Sequence, residues 1–196
     1  MKRIAVIVGS TRQGRFADKP AQWIVQKLAE RPDVDVELLD LRDFPLPFFD
    51  DPVSPAWRNG APIADPTLRA WSEAIDRADG FIIISPEYNH GYTAVLKNAI
   101  DHLYSEWNRK PIGFVGYGNS GGARAIEQLR QVVVELEMTP IKRSVAVPLE
   151  QIKRFIFEGA TELDFSEADQ AADAMFDELL WWVNALATAR NAALVS

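Results

Sequence analysis

The chain has 196 residues, which at about 150 residues per domain is the length of one domain. Hydrophobic residues make up 47% and charged residues 25%, enough for a packed core and too little polarity for extended disorder. The net charge of −7 argues against nucleic acid or an anionic membrane as partner, and zero cysteines exclude disulfide frameworks, thiol nucleophiles and Cys-ligated metal.

Ile4–Val8 is a continuous apolar run, as in a strand covered on both faces. It is too short for the apolar region of a signal peptide, and no run of 18 apolar residues follows elsewhere. A cytoplasmic, membrane-free protein is expected. His90 and His102 are the only histidines, so no metal centre is expected.

A helix is read from Pro20 to Arg31, with Trp23, Ile24 and Leu28 on one side, ending at Pro32-Asp33. Val34, Val36 and Leu38 start a second strand that ends near Asp40. Leu41 to Pro66 holds six prolines and is longer than ordinary connections, so it is read as an irregular segment. It either shapes a substrate site or covers surface. Pro66 to Ala78 reads as a helix, Gly80 to Ser85 as a third strand, and Tyr92 to Tyr104 as a helix. Pro111 to Tyr117 is a fourth strand, Gly121 to Glu137 a helix, and Pro140 to Val147 a fifth strand. Ser166 caps a long final helix running to about Ala193. Strands alternating with helices imply a parallel sheet with helices on both faces, and nothing divides residues 1–196 into two domains.

Ligands of such sheets bind at the carboxyl ends of the strands. Three loops there are unusual. Gly9-Ser10-Thr11-Arg12-Gln13-Gly14-Arg15 leaves the first strand and enters a helix, with backbone N–H groups, hydroxyls and guanidinium groups suited to a phosphate. Residues 1–20 carry five basic side chains against one acidic one. Gly14 is followed by Arg15-Phe16, not Lys-Ser/Thr, so this is not a nucleoside-triphosphatase loop. Ser85-Pro86-Glu87-Tyr88-Asn89-His90-Gly91 sets a stacking face and an amide after an apolar strand, with His90 read as structural or solvated. Gly116-Tyr117-Gly118-Asn119-Ser120-Gly121-Gly122-Ala123-Arg124 contains Gly-x-Gly-x-x-Gly. That spacing alone points to a dinucleotide fingerprint, but it follows the fourth strand and no acidic residue ends the next one. Its glycines, Gly118 among them, are read as letting backbone approach a planar ring.

The three loops, together with Leu96-Lys97-Asn98-Ala99-Ile100-Asp101, resemble the NAD(P)H-dependent FMN reductase family over roughly residues 3 to 148. The resemblance implies a flavodoxin-like three-layer α/β sandwich whose five-stranded parallel sheet has the order 2-1-3-4-5. It implies bound FMN, NADPH or NADH as co-substrate, and a homodimer or homotetramer. Ser10, Thr11 and Arg12 would hold the phosphate. Pro86, Glu87, Tyr88 and Asn89 would border the ring and ribityl chain, and Ser120, Gly121 and Gly122 would approach the ring edge. Arg15 and Phe16 stand where many members place a hydroxyl or Asn, so Arg15 is a ligand or a rim charge. Lys97 and Asp101, at i and i+4, are an ion pair or an oligomer contact. The implied reaction is ping-pong: hydride passes from NAD(P)H to FMN, then electrons pass to a flavin, quinone, azo compound or metal oxyanion. No side chain is assigned to proton transfer. A flavodoxin-like electron carrier and a dehydrogenase using the Gly116 loop are the competing readings.

Overall fold

A computed structural model of the chain describes residues 1–58 and 60–193. Five strands form one sheet: β1 (Lys2–Val8), β2 (Val34–Asp40), β3 (Gly80–Pro86), β4 (Pro111–Tyr117) and β5 (Thr139–Ala146). Their order is β2-β1-β3-β4-β5, and every neighbouring pair is parallel. This is the expected flavodoxin-like order. The central strands β3 and β4 are buried along their whole length, while the edge strands β2 and β5 are half exposed. Burial on both faces is why the central strands read as unbroken apolar runs.

The helices are α1 (Asp18–Ala29), α2 (Pro66–Asp76), α3 (Ala94–Asp101), α4 (Ala123–Glu135), α5 (Leu149–Phe157) and α6 (Ser166–Ala193). The two-residue period of β1 divides the core. Ile4, Val6 and Val8 face a cluster with Ile24 and Leu28 of α1 and Met175, Phe176 and Leu179 of α6. Ala5 and Ile7 face the opposite cluster, with Trp71 of α2, Leu96 and Ile100 of α3 and Leu129 of α4. Each such large side chain contributes about 1.5–3 kcal/mol on burial.

Several element boundaries differ from the sequence reading. Helix α1 starts at Asp18, ahead of Pro20, because a missing N–H costs nothing in a first turn. Helix α3 starts later than Tyr92 because Thr93 takes the cap position and its Oγ1 accepts from Leu96 N–H at 3.2 Å. Helix α4 starts at Ala123 because Gly121 and Gly122 are left-handed, at φ 62° and 76°. Helix α5 was not expected at all.

The proline-rich segment has one short 3₁₀ turn, Pro55–Trp57, and is strapped to α3. Asn98 Oδ1 accepts from Phe49 N–H at 2.9 Å, and Asn98 Nδ2 donates to the Pro47 carbonyl at 2.8 Å. His102 Nε2 lies 2.9 Å from that same carbonyl. His102 is therefore structural. Lys97 and Asp101 form the i,i+4 ion pair, with Nζ 2.6 Å from Asp101 Oδ2. No helix among the described residues is long and apolar enough to cross a membrane, and none of their acidic and His side chains cluster as a metal site would require.

Candidate functional site

The carboxyl ends of β1, β3 and β4 open into a cleft of about 630 Å³. One wall is the loop after β1. Gly9 N–H donates to Ile84 O at 2.8 Å, and a Cβ on Gly9 would stand 3.0 Å from that oxygen. The loop thus crosses β3 so closely that a side chain at Gly9 would crowd the Ile84 carbonyl and Leu96. Thr93 Oγ1 donates to the Gly9 carbonyl at 2.6 Å. Beyond it, the N–H groups of residues 13 to 17 find no acceptor among the described residues. They precede α1 and add to the positive end of its dipole. Arg12 lines the cleft, and its guanidinium has no carboxylate partner among the described residues. Thr11 turns away, towards a smaller cavity of about 320 Å³ shared with Phe44 and Leu46 of the proline-rich segment.

The second wall is the turn after β3. Tyr88 N–H donates to Gly91 O at 2.8 Å, and Gly91 N–H returns the bond at 3.0 Å. Asn89 and His90 sit between them at φ 50° and 68°. Two successive left-handed residues make a tight mirror-image turn, which Asn and His tolerate better than most side chains. Gln128 Nε2 fixes it by donating to His90 O at 2.9 Å. The Tyr88 hydroxyl lies 3.2 Å from Ser10 Oγ, so the first two walls are joined. Ser10 is buried behind the surface of the cleft.

The third wall follows β4. Gly118 packs 3.3 Å from Glu87, measured to the Cβ it would carry. Glu87 accepts from Arg124 N–H at 3.0 Å and from Arg124 Nη1 at 2.7 Å, and Nη1 also donates to Ser120 Oγ at 2.8 Å. Burial pushes the Glu87 carboxyl up, but the Arg124 bonds outweigh it and hold the carboxyl below its ordinary range. The Tyr117 phenol at the cleft floor is pushed well above its ordinary range by burial and then by Tyr88, so it stays protonated.

The cleft therefore brings together Arg12, Arg15, Phe16, Pro86, Glu87, Tyr88, Asn89 and Gly118 from the sequence reading. Ser120, Gly121 and Gly122 shape its third wall from behind, and only their neighbours line it. Gly14, His90, Tyr117, Asn119 and Arg124 also line it, though the sequence reading did not assign them to a site. So do Ile152, Phe155 and Ile156 of α5, which close it with an apolar fourth wall. Their i, i+3, i+4 spacing was a legible helical signal. Phe155 packs edge-on to Phe16 at 5.6 Å, and Phe16 packs on Tyr117 at 5.3 Å.

Comparison with known proteins decides the family. The model described as NADPH-dependent FMN reductase matches residues 2–151. The chain belongs to the NADPH-dependent FMN reductase family. It is 36% identical over 162 residues to an NAD(P)H-dependent FMN reductase of Schizosaccharomyces pombe, covering 82% of this chain and 80% of the relative. It is 28% identical over 186 residues to the FMN-dependent NADPH-azoreductase of Staphylococcus saprophyticus, covering 91% and 93%. Among solved structures it is similar to the flavoenzyme NAD(P)H:(acceptor) oxidoreductase FerB of Paracoccus denitrificans. The TM-score is 0.69 at 25% identity, over 94% of this chain and 98% of that one. The match to the FMN reductase family ends inside α5, so Ile152, Phe155 and Ile156 lie beyond it.

Proposed function

We propose that this chain is an NAD(P)H-dependent FMN reductase that binds FMN in the cleft and reduces a second small-molecule acceptor. The observation that carries the reading is the polarity of the cleft. Arg12 lines it on the side of the first loop together with residues 14–16, whose N–H groups find no acceptor among the described residues, while Tyr88, Gly118 and the apolar residues of α5 line the other walls. A phosphate needs the first environment and a planar ring the second. The residues present thus fit FMN. The phosphate is held by Arg12 and the loop N–H groups. The Pro86–Asn89 turn and Gly118 border the ring.

Bound FMN supplies the redox centre through which NADPH or NADH reduces a flavin, quinone, azo compound or metal oxyanion in a ping-pong cycle. The chain's own contribution is position and electrostatics. The Glu87–Arg124 pair locks the second wall to the third, so backbone donors there are already oriented. The protonated Tyr117 adds no negative charge beside the ring. Homo-oligomer formation, a cytoplasmic setting and a single domain spanning residues 1–196 belong to the same reading. Exposed Phe48 and Trp57 on the proline-rich segment offer an apolar contact for a second copy.

The test is the visible spectrum of the purified protein after adding FMN and then NADPH without oxygen. A protein-bound flavin band that bleaches with NADPH and returns with quinone supports the reading. A protein that takes up no FMN overturns it, and one that binds FMN without bleaching is a carrier.

A further inference from the structure

Arg15 is the basic residue of the first loop whose role the sequence leaves open between phosphate ligand and rim charge. Its side chain is 1% exposed. A guanidinium has five N–H donors, and here all five are used inside the protein. Nε donates to Asp18 Oδ1 at 2.8 Å. Nη1 donates to Asp40 Oδ1 at 2.9 Å and to the Ser10 carbonyl. Nη2 donates to Asp18 Oδ1 and to Asp40 Oδ2, each at 2.5 Å. Arg42 covers the other side of Asp40, its Nε donating to Oδ2 at 2.9 Å and its backbone N–H to Oδ1 at 3.0 Å.

We infer that Arg15 is a positioning residue for the phosphate loop, not a phosphate ligand, and that Asp40 at the end of β2 is the partner that holds it there. The inference rests on the FMN reading above. The Ser10 carbonyl is the first one after the glycine crossing. Fixing it sets the course of the peptides that follow, which bring Arg12 and Gly14 to the cleft. The same residue's Oγ lies 3.2 Å from the Tyr88 hydroxyl, so the anchor also registers the loop against the second wall. Strand β2, which lines no part of the cleft, thereby acts on it through one carboxylate. That carboxylate is held at about 2 by its arginines against the cost of burial, so it is charged at any pH used for binding.

The two roles for Arg15 predict opposite signs for Asp40. If Arg15 bound the phosphate, Asp40 would compete with it, and Asp40→Asn would free the guanidinium and tighten FMN. If Arg15 positions the loop, Asp40→Asn loosens the anchor and weakens FMN.

The experiment is an FMN titration, read by flavin fluorescence, of the wild type, Asp40→Asn, Arg15→Lys and the double variant. Thermal melts of each apoprotein set a temperature well below unfolding. Lysine keeps the charge but cannot span Asp18, Asp40 and the Ser10 carbonyl in one plane. The expected result is a loss of about tenfold in each single variant, with the double variant no worse than the weaker single. Tighter binding by Asp40→Asn overturns the inference. So does lower melting with unchanged affinity, which would make the cluster structural only. If Arg15→Lys fails to fold, the sign of the Asp40→Asn change still decides. A wild type that binds no FMN sinks the functional reading instead, and the control in the same titration shows which has failed.

Discussion

Thr93 donates from Oγ1 to the Gly9 carbonyl at 2.6 Å while the same oxygen accepts from Leu96 N–H at 3.2 Å. One buried hydroxyl thus caps α3 and ties down the loop after β1, elements 84 positions apart in sequence. Thr93→Val keeps the shape and removes both bonds. Loss of the cap and an unpaired buried carbonyl together cost about 1–3 kcal/mol. Urea denaturation reads that loss, and Thr93→Ser restores most of it. FMN affinity falls in the valine variant because the loop loses an anchor.

Arg12 is the cation that the cleft leaves without a carboxylate partner among the described residues. Arg12→Ala is expected to weaken FMN by about 1.5–3 kcal/mol, the contribution of hydrogen bonds to charged groups. Because the residue is exposed, the melting temperature of the apoprotein stays within about 1 °C of wild type. Unchanged affinity in a fluorescence titration would remove Arg12 from the phosphate site.

Gly116 and Gly122 meet backbone to backbone. A Cβ on Gly122 would stand 2.7 Å from Gly116 Cα and from Tyr117 N, atoms that cannot move aside. Gly122 is also left-handed, at φ 76°. Gly122→Ala therefore costs about 2–4 kcal/mol, combining overlap with a left-handed backbone. Gly14 has φ 60° but nothing within 4 Å of its Cβ position. Gly14→Ala carries only the conformational cost, about 1–2 kcal/mol. Denaturant midpoints of the two variants should separate in that order.

Asp40 sets an acid limit on stability. Its folded-state carboxyl lies at about 2, below the ordinary 3.8. A lowered carboxylate contributes stability that is complete above the unfolded value and lost as pH falls through the folded one. The stability therefore holds from neutrality down to about pH 5 and declines towards pH 2. About 2 kcal/mol is involved, at 1.36 kcal/mol per unit. Urea unfolding at pH 7, 4 and 3 measures it, and in Asp40→Asn this part of the acid dependence disappears.

The sheet and two of the cleft walls were legible because they depend on local pattern. Ile82–Ile84 and Phe114–Val115 are buried on both faces, so they form unbroken apolar runs. Gly-rich turns and Pro86-Glu87-Tyr88-Asn89 announce themselves by residue type. Helix α5 has no counterpart in the sequence reading: its i, i+3, i+4 apolar spacing is legible, but it is nine residues long with no capping side chain, and its partners, Phe16 among them, are distant in sequence. The starts of α3 and α4 lie two residues later than the sequence reading puts them because capping by Thr93 and the left-handed Gly122 overrode helix periodicity.

Amino-acid order alone determined that this is a parallel α/β chain with a basic, glycine-rich turn after its first strand. Apolar periodicity and glycine placement are properties of neighbouring residues, and they survive without a structure. Tertiary structure decided which charges in that turn are available. Arg12 and Arg15 are three positions apart and chemically identical, yet the fold leaves one guanidinium at the cleft and surrounds the other with Asp18, Asp40 and a carbonyl. Asp40 lies 25 positions from Arg15. It reaches Arg15 only because β2 pairs with β1, a contact that no local pattern encodes.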